Sequence, residues 1–251
     1  NTGKPLVIIL MNGRPLVLDE SVQQAPALLE TWFLGSETGN AVADVLFGDV
    51  NPSGKLPMTF PRHVGQIPIY YAHKNTGRPP SGDGSYASAY IDVPWTPLYP
   101  FGFGLSYTSF VYSSPRLSSP RLTSTQTLEV EVTVTNTFIR AGDEIVQLYL
   151  RDDVASVTRP VRRLRGFRKI HLAPGESRSV SFTLGQQDFA LLDEHFSPKV
   201  EAGSFTVCVG PDSTTTNQAH FEVSDTRGLP IAGQSVQPAL PIPPAVKGAP
   251  G

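Results

Sequence analysis

The stretch that decides the fold runs from Gly35 to Pro61 and reads GSETGNAVADVLFGDVNPSGKLPMTFP. Its first part predicts a helix of about ten residues, with Ser36 as N-cap and Glu37 placing a negative charge in the first turn. One helix face is apolar and comprises Ala41, Val42, Val45 and Leu46. Gly48 is expected to end the helix, because glycine readily adopts the left-handed conformation found just after helices. After a turn at 51–54, apolar residues alternate at 56, 58 and 60, which predicts a short edge-tolerant strand.

The residues before this stretch predict a parallel sheet. Pro5–Met11 is a continuous aliphatic run, typical of a strand buried on both faces, and Ala27–Phe33 predicts a second buried strand. Between them, Asn12-Gly13 is compatible with a hairpin turn or with a loop that leads into a helix. The order strand, helix, strand, helix, strand indicates the end of an open, mainly parallel α/β sheet.

Two chemical interpretations of this region are conceivable from its residues. A phosphate-binding loop is excluded, because Gly48 and Gly54-Lys55 are separated by five residues instead of four and Leu56 replaces the required Ser or Thr. Glu30 and Glu37 are expected near the carboxyl edge of the sheet, where ligands bind in such folds. Catalysis by a carboxyl pair needs two facing carboxyl groups, and for Glu37 the role of a helix N-terminal charge is the stronger interpretation. No catalytic residue is therefore assigned.

The irregular stretch at 63–100 is too long for an ordinary connection, and loops of this length are usually functional or disordered. It carries polar groups that suit sugar hydroxyls and aromatic rings that suit stacking on a sugar. We expect Asn75, Arg78 and Tyr86 to bind substrate, with Arg78 at the rim of a sugar cleft of its own chain or of a dimer mate. Asp83 is a further hydroxyl partner. The alternative is a linker whose aromatics pin it to two domains, which is favoured for Tyr70, Trp95 and Tyr99.

From Phe110 onward the hydrophobic period is two. Alternating runs such as those at 128–135, 146–150, 180–184 and 205–209, separated by glycine-containing turns, predict a β-sandwich with one solvated face per strand. The basic run at 159–169 is expected to be a solvated strand face, although a polyanion site is conceivable. Cys208 alternates with valines in a strand and is expected to be a small structural residue.

Composition excludes several classes of function. The formal net charge of −2 argues against nucleic acid as a partner, and no apolar run is long enough to span a membrane. Neither His171 nor His195 has a partner at ligand spacing, so no metal site and no cofactor is predicted. The segment 226–251 is rich in proline and is expected to be an extended tail of open role.

Three motifs occur in a fixed order along the chain: NTGKPLVIILMNGRPL at 1–16, ETWFLGSETGNAVADVLFGDVNPSGKLPMTFP at 30–61 and LYPFGFGLSYTSF at 98–110. Together they resemble the C-terminal part of glycoside hydrolase family 3. The resemblance is nearest to the bacterial periplasmic β-glucosidases. It implies the end of an α/β sandwich at 1–62, an aromatic-rich loop and linker at 63–105, a fibronectin type III-like domain at 106–225 and the tail at 226–251.

The resemblance also implies the activity and the location. Family members are retaining, exo-acting hydrolases of terminal β-D-glucosyl residues, whose aspartate nucleophile lies on a TIM barrel and whose acid/base glutamate lies upstream of the strand at 5–11. We therefore expect the partner of this chain to be that upstream polypeptide, the location to be periplasmic or secreted, and the 251 residues alone to be inactive. The alternative function is a non-catalytic carbohydrate-binding or structural module.

Overall fold

A computed structural model describes residues 3–80 and 87–229. Its first part is a small α/β unit in which two short strands pair in parallel, with Val7 opposite Ala27 and Leu10 opposite Glu30. The crossover between these strands contains a helix, so the loop-to-helix alternative after Asn12-Gly13 is the one observed. The elements in chain order are β1 (Val7–Leu10), α1 (Glu20–Gln23), β2 (Ala27–Glu30) and α2 (Thr38–Phe47).

The apolar faces of this unit are largely uncovered within the described residues. Val7 of β1 is 42% exposed, Phe47 of α2 is 84% exposed, and α2 has no buried residue. The expectation of strands buried on both faces is therefore wrong for this chain by itself. A two-stranded sheet with one short helix following it does not supply the two covering layers that such strands need.

Helix α2 differs from expectation at its start and agrees at its end. A 3₁₀ turn at Gly35–Glu37 precedes it, and Ser36 forms no side-chain cap; instead the Thr38 hydroxyl donates to the Gly35 carbonyl at 2.6 Å. At the other end Gly48 has a φ of 84°, the left-handed conformation that favours glycine. The ten-residue length and the Gly48 stop are confirmed.

The predicted strand at 56–60 is absent. The Leu56 amide donates to the Phe103 carbonyl at 2.8 Å, and the Gly102 amide donates to the Leu56 carbonyl at 2.8 Å. Phe60 makes a single antiparallel bridge with Tyr99. Pro57 has no amide hydrogen to donate to a ladder, so this segment pairs intermittently with the linker instead of extending the sheet.

The second part is a β-sandwich, as predicted from the period of two. Its strands are β3 (Phe110–Tyr112), β4 (Arg116–Leu117), β5 (Arg121–Leu122), β6 (Leu128–Asn136), β7 (Gly142–Asp152), β8 (Arg163–Leu172), β9 (Ser177–Leu184), β12 (Gly203–Gly210) and β13 (Gln218–Val223). The larger sheet has the order β5-β13-β12-β7-β8, while β3, β4 and β9 pair with β6 in the other sheet. The helix α3 (Gln186–Phe189) and a small sheet of β10 (Leu191–Leu192), β11 (Pro198–Val200) and β14 (Arg227–Gly228) close one end.

The core lies between the two larger sheets. Side chains of β6, β7, β9 and β12 alternate between this core and the outside, which is why each strand shows one apolar and one polar set of positions. The fully buried set includes Leu128, Val130, Val132, Val134, Val146, Leu148 and Val207. The observed order, a small parallel α/β unit followed by a β-sandwich, agrees with the fold class that the resemblance implies.

No helix within 3–80 and 87–229 is long and apolar enough to cross a membrane.

Candidate functional site

Two of the three residues predicted to bind substrate, Asn75 and Arg78, lie on a segment that we call the arm, residues 63–80. Its base is held by Gln66, which is buried: the Gln66 side-chain oxygen accepts from the Arg62 amide at 2.6 Å, and its nitrogen donates to the Pro94 carbonyl at 2.7 Å. These bonds join the two ends of the long loop. The base of the arm, which contains a short 3₁₀ helix at Val64–Gln66, is therefore fixed.

The middle of the arm is attached to the sandwich. The Tyr71 ring stacks on Phe101, with centroids 4.4 Å apart, and meets Tyr149 of β7 edge-on at 5.7 Å. The Tyr71 hydroxyl accepts a hydrogen bond from the Leu164 amide at 3.2 Å. Tyr71 thus links the arm, the linker and the five-stranded sheet.

The outer half of the arm makes a short strand-like contact. The Val161 amide donates to the His73 carbonyl at 2.8 Å, and Lys74 forms an antiparallel bridge with Pro160. The next residue is Asn75, so the sandwich supports the arm up to the first predicted site residue.

The tip of the arm carries two of the three predicted site residues. Asn75 and Arg78 are exposed; the Arg78 amide lies 3.3 Å from the Thr76 hydroxyl oxygen, and the Ser88 amide donates to the Arg78 carbonyl at 2.7 Å. The loop thus brings Asn75 and Arg78 together on one exposed turn. Tyr86 and Asp83 lie outside the described residues.

The aromatic rings of the linker divide into two groups. Tyr99 packs against Phe60 and stacks on Phe103 with centroids 5.4 Å apart, which agrees with the structural interpretation of this ring. Tyr70 and Trp95, for which the same interpretation was favoured, are each about half exposed. These two rings remain free to contact a further surface.

The two carboxylates at the edge of the small sheet are engaged locally. The oxygens of Glu30 accept from the Trp32 amide at 2.9 Å and from the Asn12 side chain at 3.2 Å. Glu37 accepts from the Asn40 side chain at 2.6 Å, in the first turn of α2. Each carboxylate therefore has a structural partner, which agrees with the preferred interpretation of Glu37.

A buried ion pair at the junction of the two parts was missed from the sequence. Lys55 and Glu144 of β7 are 3.3 Å apart, and their side chains are only 10% and 4% exposed. The Tyr112 hydroxyl donates to Glu144 at 2.7 Å, and Lys55 also donates to the Gly104 carbonyl at 3.1 Å. Burial raises the pKa of Glu144, and the Lys55 charge opposes that shift.

Asn51 forms a second connection at the junction. Its side-chain oxygen accepts from the Ser106 hydroxyl at 2.9 Å and the Tyr107 amide at 2.8 Å, while its nitrogen donates to the Ala141 carbonyl at 3.0 Å. The sequence indicated Asn51 only as a turn residue. One turn therefore ties the α/β part, the linker and the sandwich together.

The basic run is not a uniformly solvated face, so that expectation is wrong for part of it. Arg159 donates to the Ala190 carbonyl at 3.0 Å and lies 3.7 Å from Asp152, and both side chains are nearly buried. Burial raises the pKa of Asp152 to about 6 and lowers that of Arg163 to about 10. Arg165 likewise donates to the Asp188 carbonyl of α3 at 2.7 Å, so the chain around α3 contacts this run, which the spacing of the run did not indicate. Lys169 is exposed, as expected, and the apolar Phe167 is exposed as well.

Cys208 lies buried on β12, and burial raises the pKa of its thiol. A raised pKa disfavours the reactive thiolate. The structural interpretation of this residue is therefore supported.

Comparison with known proteins identifies both parts. The model of the glycosyl hydrolase family 3 C-terminal domain matches residues 1–107, and that of the fibronectin type III-like domain matches residues 144–213. A periplasmic beta-glucosidase of Salmonella typhimurium is 53% identical over 224 residues, covering 88% of this chain and 29% of the relative. A beta-xylosidase of Formosa agariphila is 48% identical over 212 residues, covering 84% of this chain and 29% of the relative.

A solved structure agrees with these matches. The beta-glucosidase from Listeria innocua, in a crystal structure with isofagomine, superposes with a TM-score of 0.85 and 43% identity, over 88% of this chain and 31% of that one. The chain therefore spans about three tenths of the length of these relatives. The resemblance seen in the motifs is confirmed, and the chain belongs to glycoside hydrolase family 3.

Proposed function

We propose that this chain is the C-terminal portion of a retaining, exo-acting β-glucosidase that hydrolyses terminal β-D-glucosyl residues. The observation that carries the proposal is the 53% identity to a periplasmic beta-glucosidase, over a stretch that makes up 29% of that protein. The nucleophile and the acid/base residue belong to the upstream polypeptide. The 251 residues contribute the end of the α/β layer, the arm and the sandwich.

The uncovered apolar surface of the α/β unit supports a missing partner. Val7 and Ile9 of β1 and Phe47 of α2 are exposed in this chain, although runs of this kind are normally buried on both sides. The upstream polypeptide, comprising a TIM barrel and the rest of the α/β domain, would cover them. We place the working boundaries at 1–62, 63–105, 106–225 and 226–251, and the location in the periplasm or outside the cell.

The arm is proposed to deliver Asn75 and Arg78 to the rim of the sugar cleft, together with Tyr86. Its attachment through Tyr71 and Lys74 supports this, because a pre-positioned loop loses less entropy on binding than a free one. The cleft belongs to the same chain or to the other subunit of a homodimer. In either case the sandwich acts as a rigid support for the tip.

Kinetics of the complete protein test the role of Arg78. Arg78→Ala is expected to lower kcat/KM for an aryl β-glucoside by about tenfold, the loss typical of one charge-assisted hydrogen bond. Arg116→Ala is the matched control, because Arg116 is also exposed and lies on β4. Unchanged kcat/KM in Arg78→Ala refutes the rim role while leaving the family activity intact.

The complete protein also tests the proposed reaction. It should hydrolyse a β-glucoside from the non-reducing end, and NMR of the first-formed product should show the β-anomer, since two displacements retain configuration. The beta-xylosidase relative makes a β-xyloside the necessary comparison substrate. Preference for the xyloside would replace the glucosidase proposal with a xylosidase one, and an inverted product would contradict the retaining mechanism.

The second candidate function is a carbohydrate-binding or structural module without catalysis. The extensive junction at Asn51 and Lys55 favours a structural contribution of the sandwich. Calorimetry with cello-oligosaccharides on the 251-residue chain separates a carbohydrate-binding module from a structural one. Binding by the chain alone would require a sugar site in these residues, and no binding would favour the structural role.

A further inference from the structure

The outer face of the five-stranded sheet contains a groove along β12 that no part of the proposed reaction uses. Thr206 and Cys208 form its floor, because Phe205, Val207 and Val209 alternate with them and point into the core. The groove has a volume of about 320 Å³.

The walls are built from longer polar side chains on the two neighbouring strands. Thr206 lies opposite His220 of β13 on one side and Arg151 of β7 on the other, while Cys208 lies opposite Gln218. Small residues on the central strand between long residues on both neighbours produce a concave surface on an otherwise flat sheet.

Two guanidinium groups line the groove, and each is held by only part of its donor set. The Arg151 Nε lies 3.2 Å from Asp153, and the Arg162 Nη1 donates to the carbonyls of Ser213 at 2.6 Å and Thr215 at 3.0 Å. Within the described residues the other nitrogens of both groups make no hydrogen bond. Both guanidinium groups are thus held in place and still have nitrogens that can bind an oxyanion in bidentate fashion.

A hydrogen-bonded chain fixes the remaining polar groups. The Thr206 hydroxyl lies 3.0 and 3.1 Å from the two oxygens of Asp153 and 2.9 Å from the His220 Nδ1. Since the hydroxyl has one hydrogen and donates it to the carboxylate, the His220 Nδ1 is the donor to Thr206. A neutral His220 then keeps Nε2 as an acceptor.

We propose that this groove binds a sugar acid, that is, a hexuronate whose carboxylate lies between Arg151 and Arg162. A bare oxyanion would meet the Asp153 carboxylate, whereas the hydroxyl groups of a sugar can donate to Asp153 and His220 and accept from Gln218. The seven residues that line the groove include no aromatic ring, so a neutral sugar has no stacking surface there. The volume falls at the small end of ligand pockets, which suits one or two sugar units.

Titration of the ¹⁵N-labelled 251-residue chain tests the proposal. D-galacturonate and D-glucuronate are the probes, with D-glucose and inorganic phosphate as comparison ligands. A uronate should shift the resonances of Thr206, Cys208 and Gln218, and glucose or phosphate should shift them at least about tenfold less at equal concentration. Phosphate shifts equal to those of the uronates would reduce the groove to a general anion site and overturn the assignment.

Paired arginine variants supply the control. Arg151→Gln should weaken uronate binding by about tenfold, whereas Arg178→Gln should leave it unchanged. The two arginines are matched, since their side chains are 46% and 47% exposed and each forms one ion pair with a carboxylate. Gln218→Met is a second groove variant at an exposed position, and it should also weaken uronate binding. Circular dichroism verifies that Arg151→Gln, Arg178→Gln and Gln218→Met are folded. No uronate shift in the unmodified chain, or equal losses in Arg151→Gln and Arg178→Gln, refutes the site.

Discussion

Replacing Lys55 with methionine is the sharpest test of how the two parts are joined. The substitution keeps an unbranched side chain, shorter by one atom, and removes the positive charge that lies 3.3 Å from Glu144. Glu144 is 4% exposed and would retain the Tyr112 hydroxyl as its remaining side-chain partner. Removing one partner of a buried ion pair leaves an uncompensated charge, which costs about 3 to 5 kcal/mol.

The control is an exposed pair on the sandwich. Arg121 and Glu222 are 2.7 Å apart with side chains that are 70% and 56% exposed, so Arg121→Met should cost less than about 1 kcal/mol. The double variant Lys55→Met/Glu144→Gln should recover about half of the loss, because the glutamine is neutral and its carbonyl oxygen can still accept from Tyr112.

Urea unfolding measured by two signals provides the assay. Both tryptophans, Trp32 and Trp95, precede the sandwich, so fluorescence reports on the first part and linker, while far-UV circular dichroism is dominated by the strands after residue 109. Because Lys55 bridges the parts, Lys55→Met should lower the midpoint of both signals. A loss no larger than that of Arg121→Met would refute the view that this pair holds the junction.

Two further predictions concern the linker and the end of the sandwich. A Cβ at Gly104 would overlap the carbonyl oxygen of Gly54, so Gly104→Ala should destabilise the chain by about 1 to 3 kcal/mol. The control is Gly77→Ala, which has open space around it and should change stability by less than about 0.5 kcal/mol. Equal urea midpoints for the two variants would contradict this prediction. Asp152 has a pKa raised from 3.8 to about 6 by burial, so its contribution to stability is complete below about pH 4 and is lost as the pH rises through about 6. Because the Asp152 side chain is only 8% exposed, the rise of its pKa from 3.8 to about 6 corresponds to a loss of about 3 kcal/mol. Asp152→Asn should abolish this fall in the free energy of unfolding between pH 4 and 7, which thermal melts across that range can measure.

The sandwich and the helix stop could be predicted because local rules determine them. Apolar and polar residues alternate at 128–134, which requires one face of the strand in the core and the other toward solvent. The burial of β6 follows this pattern residue by residue. Gly48 was predictable because few other residues adopt its positive φ. The exposure of β1 was not predictable, since its aliphatic run predicts a strand covered on both faces and no element in the described residues supplies both covering layers.

The junction could not be predicted because its contacts are distant in sequence. Lys55 and Glu144 are ordinary surface residues by type, and only the docking of the linker on β7 makes them a buried pair. The strand expected at 56–60 was wrong because alternation alone does not reveal that Pro57 interrupts the ladder or that residues 99–103 compete for the same amides. For the arm, composition indicated Asn75 and Arg78, and it could not indicate that Tyr71 and Lys74 attach the loop to the sandwich.

In the proposed function, the catalytic carboxylates are supplied by another part of the protein. The most direct measurement is hydrolysis of 4-nitrophenyl β-D-glucopyranoside by the purified 251-residue chain, made in a host without β-glucosidase, before and after addition of the separately produced upstream polypeptide. We predict no release of nitrophenol above the uncatalysed rate by the chain alone, and turnover when the two pieces are combined. Turnover by the chain alone that disappears in Glu30→Gln would contradict the account, because it would place the chemistry at the edge of the small sheet.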